Sequence, residues 1–228
     1  MTIRVASVGV TIAVIVALIM GPNGGFLGRS GGGDVSSADL LVEGVSMPSK
    51  VTATGTQQDF IGGGMRMKWG FKVYVVGFYS DRKLLTSLKK KYAGLDATSL
   101  LESSNLTTDF ASSKAARTVL LRFQRGVAAS DISDALGEAL KPKVGSKTSD
   151  EFQQFILDML RSDRLEKGSD IYITCKGDKL SASLTGGKPS NSISIKGLCP
   201  AIFEVYLGDK AVSPQAKKGF AEGVAEML

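Results

Sequence analysis

The chain has 228 residues, of which 43% are hydrophobic and 22% charged, and this balance indicates an ordinary folded domain with a substantial core. It contains no histidine, which excludes Ser-His-Asp triads, Cys-His dyads and the commonest zinc and iron sites. The net charge of +6 comes from scattered basic residues without a recognition module, so we expect no nucleic-acid partner.

The amino terminus resembles a targeting segment. Arg4 precedes an apolar run at residues 8–20, and residues 1–20 are therefore predicted to be a signal peptide or a signal anchor. Residues 5–20 would be the part that tethers the chain to a membrane. The glycine-rich residues 21–38 are predicted to form a linker, and residues 39–228 to form the folded domain. Entry into the secretory or endomembrane system follows as an expectation.

Seven segments carry strand patterns, and the sequence CKGDKL places Gly177 and Asp178 at a hairpin turn between two of them. These strands are expected to be mostly antiparallel neighbours. The predicted strands are residues 51–56, 60–68, 71–78, 118–125, 170–176, 179–185 and 192–196.

Three helices are predicted between and after the strands. One begins at Ser130 and stops at Pro142, a second is capped by Thr148 with Glu151, and the last has Ser213 as its N-cap and Pro214 as its first residue. The resulting fold class is α+β, with an antiparallel sheet and helices packed on one face.

The two cysteines and a run of three lysines are each given a structural interpretation. Cys175 and Cys199 are predicted to be buried free thiols rather than a disulfide. The run Lys89, Lys90 and Lys91 is interpreted as a solvated helix end, with a partner-binding role as the alternative.

The unusual stretch is GGGMRMKWGFKVYVVGFYS, residues 62–80. Its three glycines either form a turn between strands or let backbone approach a ligand closely. The strand that follows has two mostly apolar faces, which suggests a cleft beside it. Arg66 could bind a carboxylate there through paired hydrogen bonds, with Tyr74 as a phenol donor. The alternatives are a structural or exposed role for Arg66 and a core position for Tyr74.

Carboxylates offer less chemistry. Asp131, Asp134 and Glu138 fall on the face of their helix opposite the apolar stripe, where solvated charges belong. We therefore predict no catalytic residue, no metal and no cofactor.

Three segments resemble the chalcone isomerase-like family. They are GGGMRMKWGFKVYVVGFYSD (62–81), LLRFQRGVAASDISDALGEAL (120–140) and IFEVYLGDKAVSPQAKKGFAEGVAEML (202–228). The resemblance implies the chalcone isomerase fold, an open-faced β-sandwich in which helices cover one face of an antiparallel sheet.

The resemblance speaks against isomerase activity. True chalcone isomerases use an arginine, which Arg66 matches, together with polar residues whose positions here are taken by Ile132, Ala139 and a residue near Val205. Losing those polar groups would leave a chalcone and its attacking water unoriented.

The fatty-acid-binding branch of the family fits better. Its arginine and tyrosine, which hold the ligand carboxylate, match Arg66 and Tyr74, and Val76 and Phe78 would contact the acyl chain. Tyr79 is an alternative partner for the carboxylate. Plant relatives of this branch are plastid proteins. The resemblance therefore implies the plastid as an alternative to the secretory or endomembrane system.

Three functions follow as hypotheses. The first is a non-catalytic protein that binds a fatty acid or a similar small amphiphilic carboxylate. The second is an intramolecular lyase of the chalcone–flavanone isomerase type acting on a flavonoid-like molecule. The third is a membrane-tethered helper whose cleft holds no ligand.

Overall fold

A computed structural model describes residues 39–184 and 191–227. Its eleven strands are β1 Asp39–Val42, β2 Val45–Pro48, β3 Lys50–Ala53, β4 Thr56–Lys68, β5 Phe71–Ser80, β6 Arg117–Phe123, β7 Val127–Ala128, β8 Arg164–Leu165, β9 Asp170–Lys176, β10 Lys179–Ser183 and β11 Asn191–Ser194. Its helices are α1 Arg82–Tyr92, α2 Ala97–Glu102, α3 Ser104–Ser112, α4 Ala129–Leu160, α5 Leu198–Leu207 and α6 Pro214–Met227.

Seven strands form one antiparallel sheet in the order β11-β10-β9-β6-β5-β4-β3. The helices lie against one face, where Phe78, Phe110, Phe203 and Phe220 are among the buried residues of the main core. The α+β class and the antiparallel sheet with helices on one face are confirmed. The longest hairpin, β4–β5, turns at Trp69 and Gly70, which both have positive φ.

The opposite face of the sheet is also covered. The β1–β2 hairpin contributes Val42 and Met47 to a second, smaller core that includes Met65, Val75 and Tyr79. The Tyr79 hydroxyl donates to the carbonyl of Pro48 at 2.9 Å. The apolar character of both faces of β5 therefore reflects two cores, one on each side of the sheet.

Helix α6 crosses β4 so closely that their backbones touch. A Cβ added to Gly62 would lie 2.0 Å from the Gly219 carbonyl oxygen, and one added to Gly223 would lie 1.7 Å from the Ile61 carbonyl oxygen. Gly64 approaches the backbone of α6 in the same way. We call Gly62, Gly64, Gly219 and Gly223 the glycine seam. The glycines of β4 thus lie within a strand rather than at a turn, and Gly62 and Gly64 let the backbone of a helix approach the strand.

The first two predicted helices correspond to the two parts of α4, but their ends differ from the prediction. Pro142 does not end a helix, because α4 continues past it to a break at Gly145, where φ is +78° and glycine meets no Cβ penalty. The N-cap of α4 is Ala128 rather than Ser130. The helix predicted to start at Thr148 corresponds to the part of α4 that follows Gly145, and Thr148 lies within its first turn rather than at its cap. The N-terminus of α6 is as predicted, since the Ser213 hydroxyl accepts from the Ala216 amide at 3.3 Å.

The prediction of free thiols is wrong. Cys175 on β9 and Cys199 on α5 form a disulfide whose Cα atoms lie 5.8 Å apart. Both cysteines are buried, as predicted. The sequence does not reveal that the fold brings the two side chains within bonding distance of each other. The bridge ties α5 to the sheet.

The targeting and linker predictions, residues 1–38, lie outside the described residues, as does the end of the strand predicted at residues 179–185. Within residues 39–184 and 191–227, no helix has the length and apolar character that a bilayer crossing requires.

Candidate functional site

A cavity of about 660 Å³ opens between the β4–β5 hairpin, strand β6 and the first half of α4. Its volume lies in the usual range of small-molecule sites. The inner wall is apolar and includes Val73, Leu121, Phe123, Ile132 and Leu136. The cavity can therefore take an apolar chain.

Arg66 and Tyr74 lie together on this wall. They are direct cross-strand partners in the β4–β5 ladder, and the register slips immediately after Arg66, which leaves Val73 as an extra residue in β5. Strict alternation would place Phe71 on the same face of β5 as Val75. Because the slip shifts the alternation by one residue, Phe71 instead reaches the cavity. The bulge thus concentrates aromatic side chains at one end of the hairpin.

Two contacts from the carboxyl-terminal helices hold this pair. The Arg66 guanidinium donates to the carbonyl of Val212, just before α6. The Tyr74 hydroxyl lies 3.3 Å from the hydroxyl of Tyr206 on α5. We call Arg66, Tyr74 and Tyr206 the arginine–tyrosine cluster. Tyr206 was missed by the sequence analysis, although the family resemblance pointed to Val205, one residue away.

The electrostatics of the cluster favour an anionic ligand. Burial raises the pKa of Tyr74, and the Tyr206 hydrogen bond and the Arg66 charge only partly offset it. Burial also raises the pKa of Tyr206 well above its ordinary value. Both phenols are therefore neutral hydroxyls at neutral pH. Among the described residues no carboxylate forms an ion pair with Arg66, so its positive charge is uncompensated.

The other predicted ligand contacts lie elsewhere. Val76 and Phe78 are fully buried in the main core, and Phe78 packs edge-on against Phe220 with ring centroids 5.3 Å apart. Tyr79 belongs to the smaller core on the far side of the sheet. The structure thus brings together Arg66 and Tyr74 but not these three residues, whose contact with a ligand stays a prediction.

The rim of the cavity is charged. Asp131, Asp134 and Glu138 are exposed, as the helix pattern predicted, yet they line the outer part of the cavity on α4. Arg125 and Arg164 are exposed basic residues of the same rim. An apolar interior with a polar rim orients an amphiphile with respect to solvent.

An alkaline titration should reveal how well the phenols are shielded. All five tyrosines of the chain have a raised pKa, chiefly through burial, and for Tyr172 the value is about 12. Their protonated forms stabilise the fold fully below about pH 10, the ordinary tyrosine pKa, and this stability is lost as the pH rises toward the folded-state values. Phenolate absorbance should therefore appear only together with loss of the circular-dichroism signal.

The same titration in urea is the control, because the unfolded chain should ionise near pH 10. The contribution of Arg117 to stability changes with pH in the opposite direction, because burial lowers its pKa to about 10. The effect of this single arginine is outweighed by that of the five tyrosines. Reversible ionisation of most tyrosines near pH 10 in the folded protein would contradict the expectation.

A family model described as chalcone isomerase-like matches residues 40–220. The chain belongs to the chalcone isomerase-like family. A chalcone–flavanone isomerase of Gentiana triflora is 24% identical over 217 residues, spanning 85% of this chain and 95% of that protein. Fatty-acid-binding protein 1 of Arabidopsis thaliana is 25% identical over 215 residues, spanning 86% of this chain and 74% of that protein.

The crystal structure of a fatty-acid-binding protein from Arabidopsis thaliana shares the fold, with a TM-score of 0.66 at 22% identity over 83% of this chain and 98% of that one. The predicted chalcone isomerase-like fold is thereby confirmed. Of the three positions that the family resemblance singled out, Ile132 lies in the cavity wall, Ala139 is half-buried, and Val205 is buried in the core.

Proposed function

We propose that this chalcone isomerase-like protein is non-catalytic and binds a fatty acid or a similar small amphiphilic carboxylate in the cavity. The carboxylate lies on Arg66 and Tyr74, and the acyl chain follows the apolar wall. The observation that carries the proposal is an arginine without a carboxylate partner among the described residues, set beside the buried Tyr74 phenol at the wall of an apolar cavity. The Tyr206 hydroxyl contacts that phenol from outside the lining.

Each member of the arginine–tyrosine cluster has a distinct part. Arg66 supplies charge and hydrogen bonds, which are about twice as strong to an ionised acceptor as between neutral groups. Tyr74 donates a further hydrogen bond from its neutral hydroxyl. Tyr206 positions Tyr74 through the contact at 3.3 Å. Similarity to fatty-acid-binding protein 1 of Arabidopsis thaliana supports the same ligand class.

Lipid extraction and quantification from the purified protein test the proposal. Wild type is expected to carry about one fatty acid per chain, and Arg66→Ala to bind it about 100-fold more weakly, because a desolvated carboxylate would lose its charged partner. Tyr74→Phe should weaken binding about tenfold through loss of one hydrogen bond to a charged group.

Arg82→Ala is the matched control, since Arg82 is an exposed arginine on α1 outside the cavity wall. Circular dichroism would establish that each variant is folded. An empty wild type, or an Arg66→Ala variant with unchanged fatty-acid content, would overturn the proposal.

The isomerase alternative rests on one observation, the comparable similarity to a chalcone–flavanone isomerase. It would use Arg66 to stabilise a phenolate or enolate and Tyr74 as proton donor. The apolar Ile132 in the cavity wall speaks against it, because it offers no group to orient a water. Turnover of a chalcone by wild type, lost in Arg66→Ala, would favour the alternative.

A further inference from the structure

The tip of the β4–β5 hairpin exposes an unusual amount of apolar surface. Met67, Trp69 and Phe71 are 39%, 86% and 59% exposed, and they lie within residues 67–72. The remaining members of this segment are Gly70 and two exposed lysines, Lys68 and Lys72, with no acidic residue. We call residues 67–72 the hairpin tip.

The turn itself does not require an aromatic residue. Trp69 and Gly70 both have positive φ, the geometry of a type I′ turn, in which Asn-Gly or Asp-Gly is preferred. Two other turns of the protein have the same pair of positive φ values with Glu43–Gly44 and Thr54–Gly55. A polar first residue therefore suffices, and a bulky ring at φ +51° is costly. The geometry of the turn therefore does not explain why a tryptophan occupies position 69.

Basic groups accompany the exposed rings. The Lys68 ammonium lies 4.7 Å from the centre of the Trp69 ring, and the Arg125 guanidinium lies 5.3 Å from that of Phe71. Tryptophan and tyrosine rings prefer the boundary between water and hydrocarbon, and basic side chains bind anionic lipid head groups. The combination of exposed aromatic rings and cations is therefore complementary to the surface of an anionic bilayer. The acids nearest the cavity rim, Asp131, Asp134 and Glu138, are on α4 rather than on the hairpin.

The hairpin tip also adjoins the cavity. Lys68, Trp69 and Phe71 line its outer part, while Tyr74 of the same hairpin lies deeper in the wall. A surface that contacts the tip would therefore face the opening through which an acyl chain enters.

We propose that the hairpin tip docks on an anionic lipid bilayer, with Trp69, Phe71 and Met67 at the level of the lipid head groups and Lys68, Lys72 and Arg125 on their phosphates. Docking places the cavity against the phase in which fatty acids dissolve. That role in ligand transfer rests on the proposed function, whereas docking itself is measured without any fatty acid.

Trp69 is the only tryptophan of the chain, so it reports directly on the tip. The full chain would be mixed with vesicles of phosphatidylcholine alone or with phosphatidylglycerol, each containing lipids brominated on the acyl chain. Quenching and a blue shift of Trp69 emission are expected with the anionic vesicles and much less with the neutral ones. Because only Trp69 is read, membrane contact by residues 1–20 does not produce the signal.

Charge variants test the specificity of the contact. Lys68→Gln with Lys72→Gln should shift the docking equilibrium about 30-fold toward the undocked state. Lys89→Gln with Lys90→Gln removes the same charge from two exposed lysines at the end of α1 and should leave quenching as in wild type. Trp69→Asn should raise the melting temperature, because asparagine suits the turn, which would show that the tryptophan is retained against stability.

Several outcomes would overturn docking: no quenching on anionic vesicles, equal quenching in the Lys68/Lys72 variant, or equal loss in the Lys89/Lys90 variant. A Trp69 spectrum that changes with protein concentration in the absence of vesicles would assign the tip to self-association instead. Arg66→Ala should lose fatty acid yet keep the quenching, so failure of docking and failure of the proposed function are distinguishable.

Discussion

Replacing Gly223 by alanine is expected to lower the free energy of unfolding by about 3 kcal/mol, at the upper end of overpacking effects. The added Cβ would lie 1.7 Å from the Ile61 carbonyl oxygen and 2.7 Å from its carbonyl carbon. Both atoms belong to the backbone of β4, so no side chain can move aside. The strand and the helix must separate along the glycine seam.

Urea denaturation followed by circular dichroism measures the change in the free energy of unfolding. The sign of this change distinguishes overpacking from helix propensity. Helix propensity alone predicts that Gly→Ala inside α6 stabilises the protein by about 1 kcal/mol. Glu222→Ala, at the exposed neighbouring position of α6, is the control and should change stability by less than about 0.5 kcal/mol. A more stable Gly223→Ala variant would mean that α6 does not lie directly on β4.

The second large effect concerns Arg117, which is completely buried at the start of β6. Its guanidinium donates to the carbonyls of Phe110 at 2.6 Å and of Ala115 at 3.3 Å, and also to that of Ala111. It lies 4.6 Å from the centre of the Phe203 ring. Arg117 thereby serves two carbonyls at the end of α3, where a helix runs out of its own donors. Within the part of the chain that the structure describes, the Phe110 carbonyl has only one other contact, a longer bond from the Ser113 amide at 3.4 Å.

Arg117→Met should cost about 3 kcal/mol of unfolding free energy, because methionine keeps the volume but leaves buried carbonyls unsatisfied. Arg117→Lys should cost less, since an ammonium can serve some of the acceptors but not in the planar arrangement. Arg82→Met removes an exposed arginine from α1 and is the control, with a change below about 0.5 kcal/mol. An Arg117→Met variant as stable as wild type would mean that the guanidinium is not needed to satisfy these carbonyls.

Local patterns predicted much of the sheet and part of the helical layer. Strand β9 was predicted at the residues where it occurs, and α6 begins as its Ser-Pro cap indicated. Helices α2 and α3 were not predicted, and of α1 only its solvated end at the lysine run 89–91 was. The rest of α1 was missed, although Asp81 caps it and Leu84, Leu88 and Tyr92 form its buried stripe. Short helices with few apolar residues give weak periodicity, and only tertiary burial makes them stable.

The site was predictable only where its parts are close in sequence. Arg66 and Tyr74 are neighbours because one hairpin contains both. Tyr206 meets Tyr74 across 132 positions, and Cys175 meets Cys199 between a strand and a helix, and no local pattern encodes either contact. The bulge at Val73 also escaped prediction, because strict alternation was assumed along the whole of β5.

Synthesis on the ribosome supplies the two halves of the arginine–tyrosine cluster at different times. Arg66 and Tyr74 emerge early on one hairpin, whereas Tyr206, the Val212 carbonyl and the glycines of α6 follow more than 130 residues later. Because domains generally fold as units during synthesis, a nascent chain that lacks α5 and α6 exposes the hairpin without a finished site. We therefore expect the fatty acid of the proposed function to bind only after synthesis of the chain is complete.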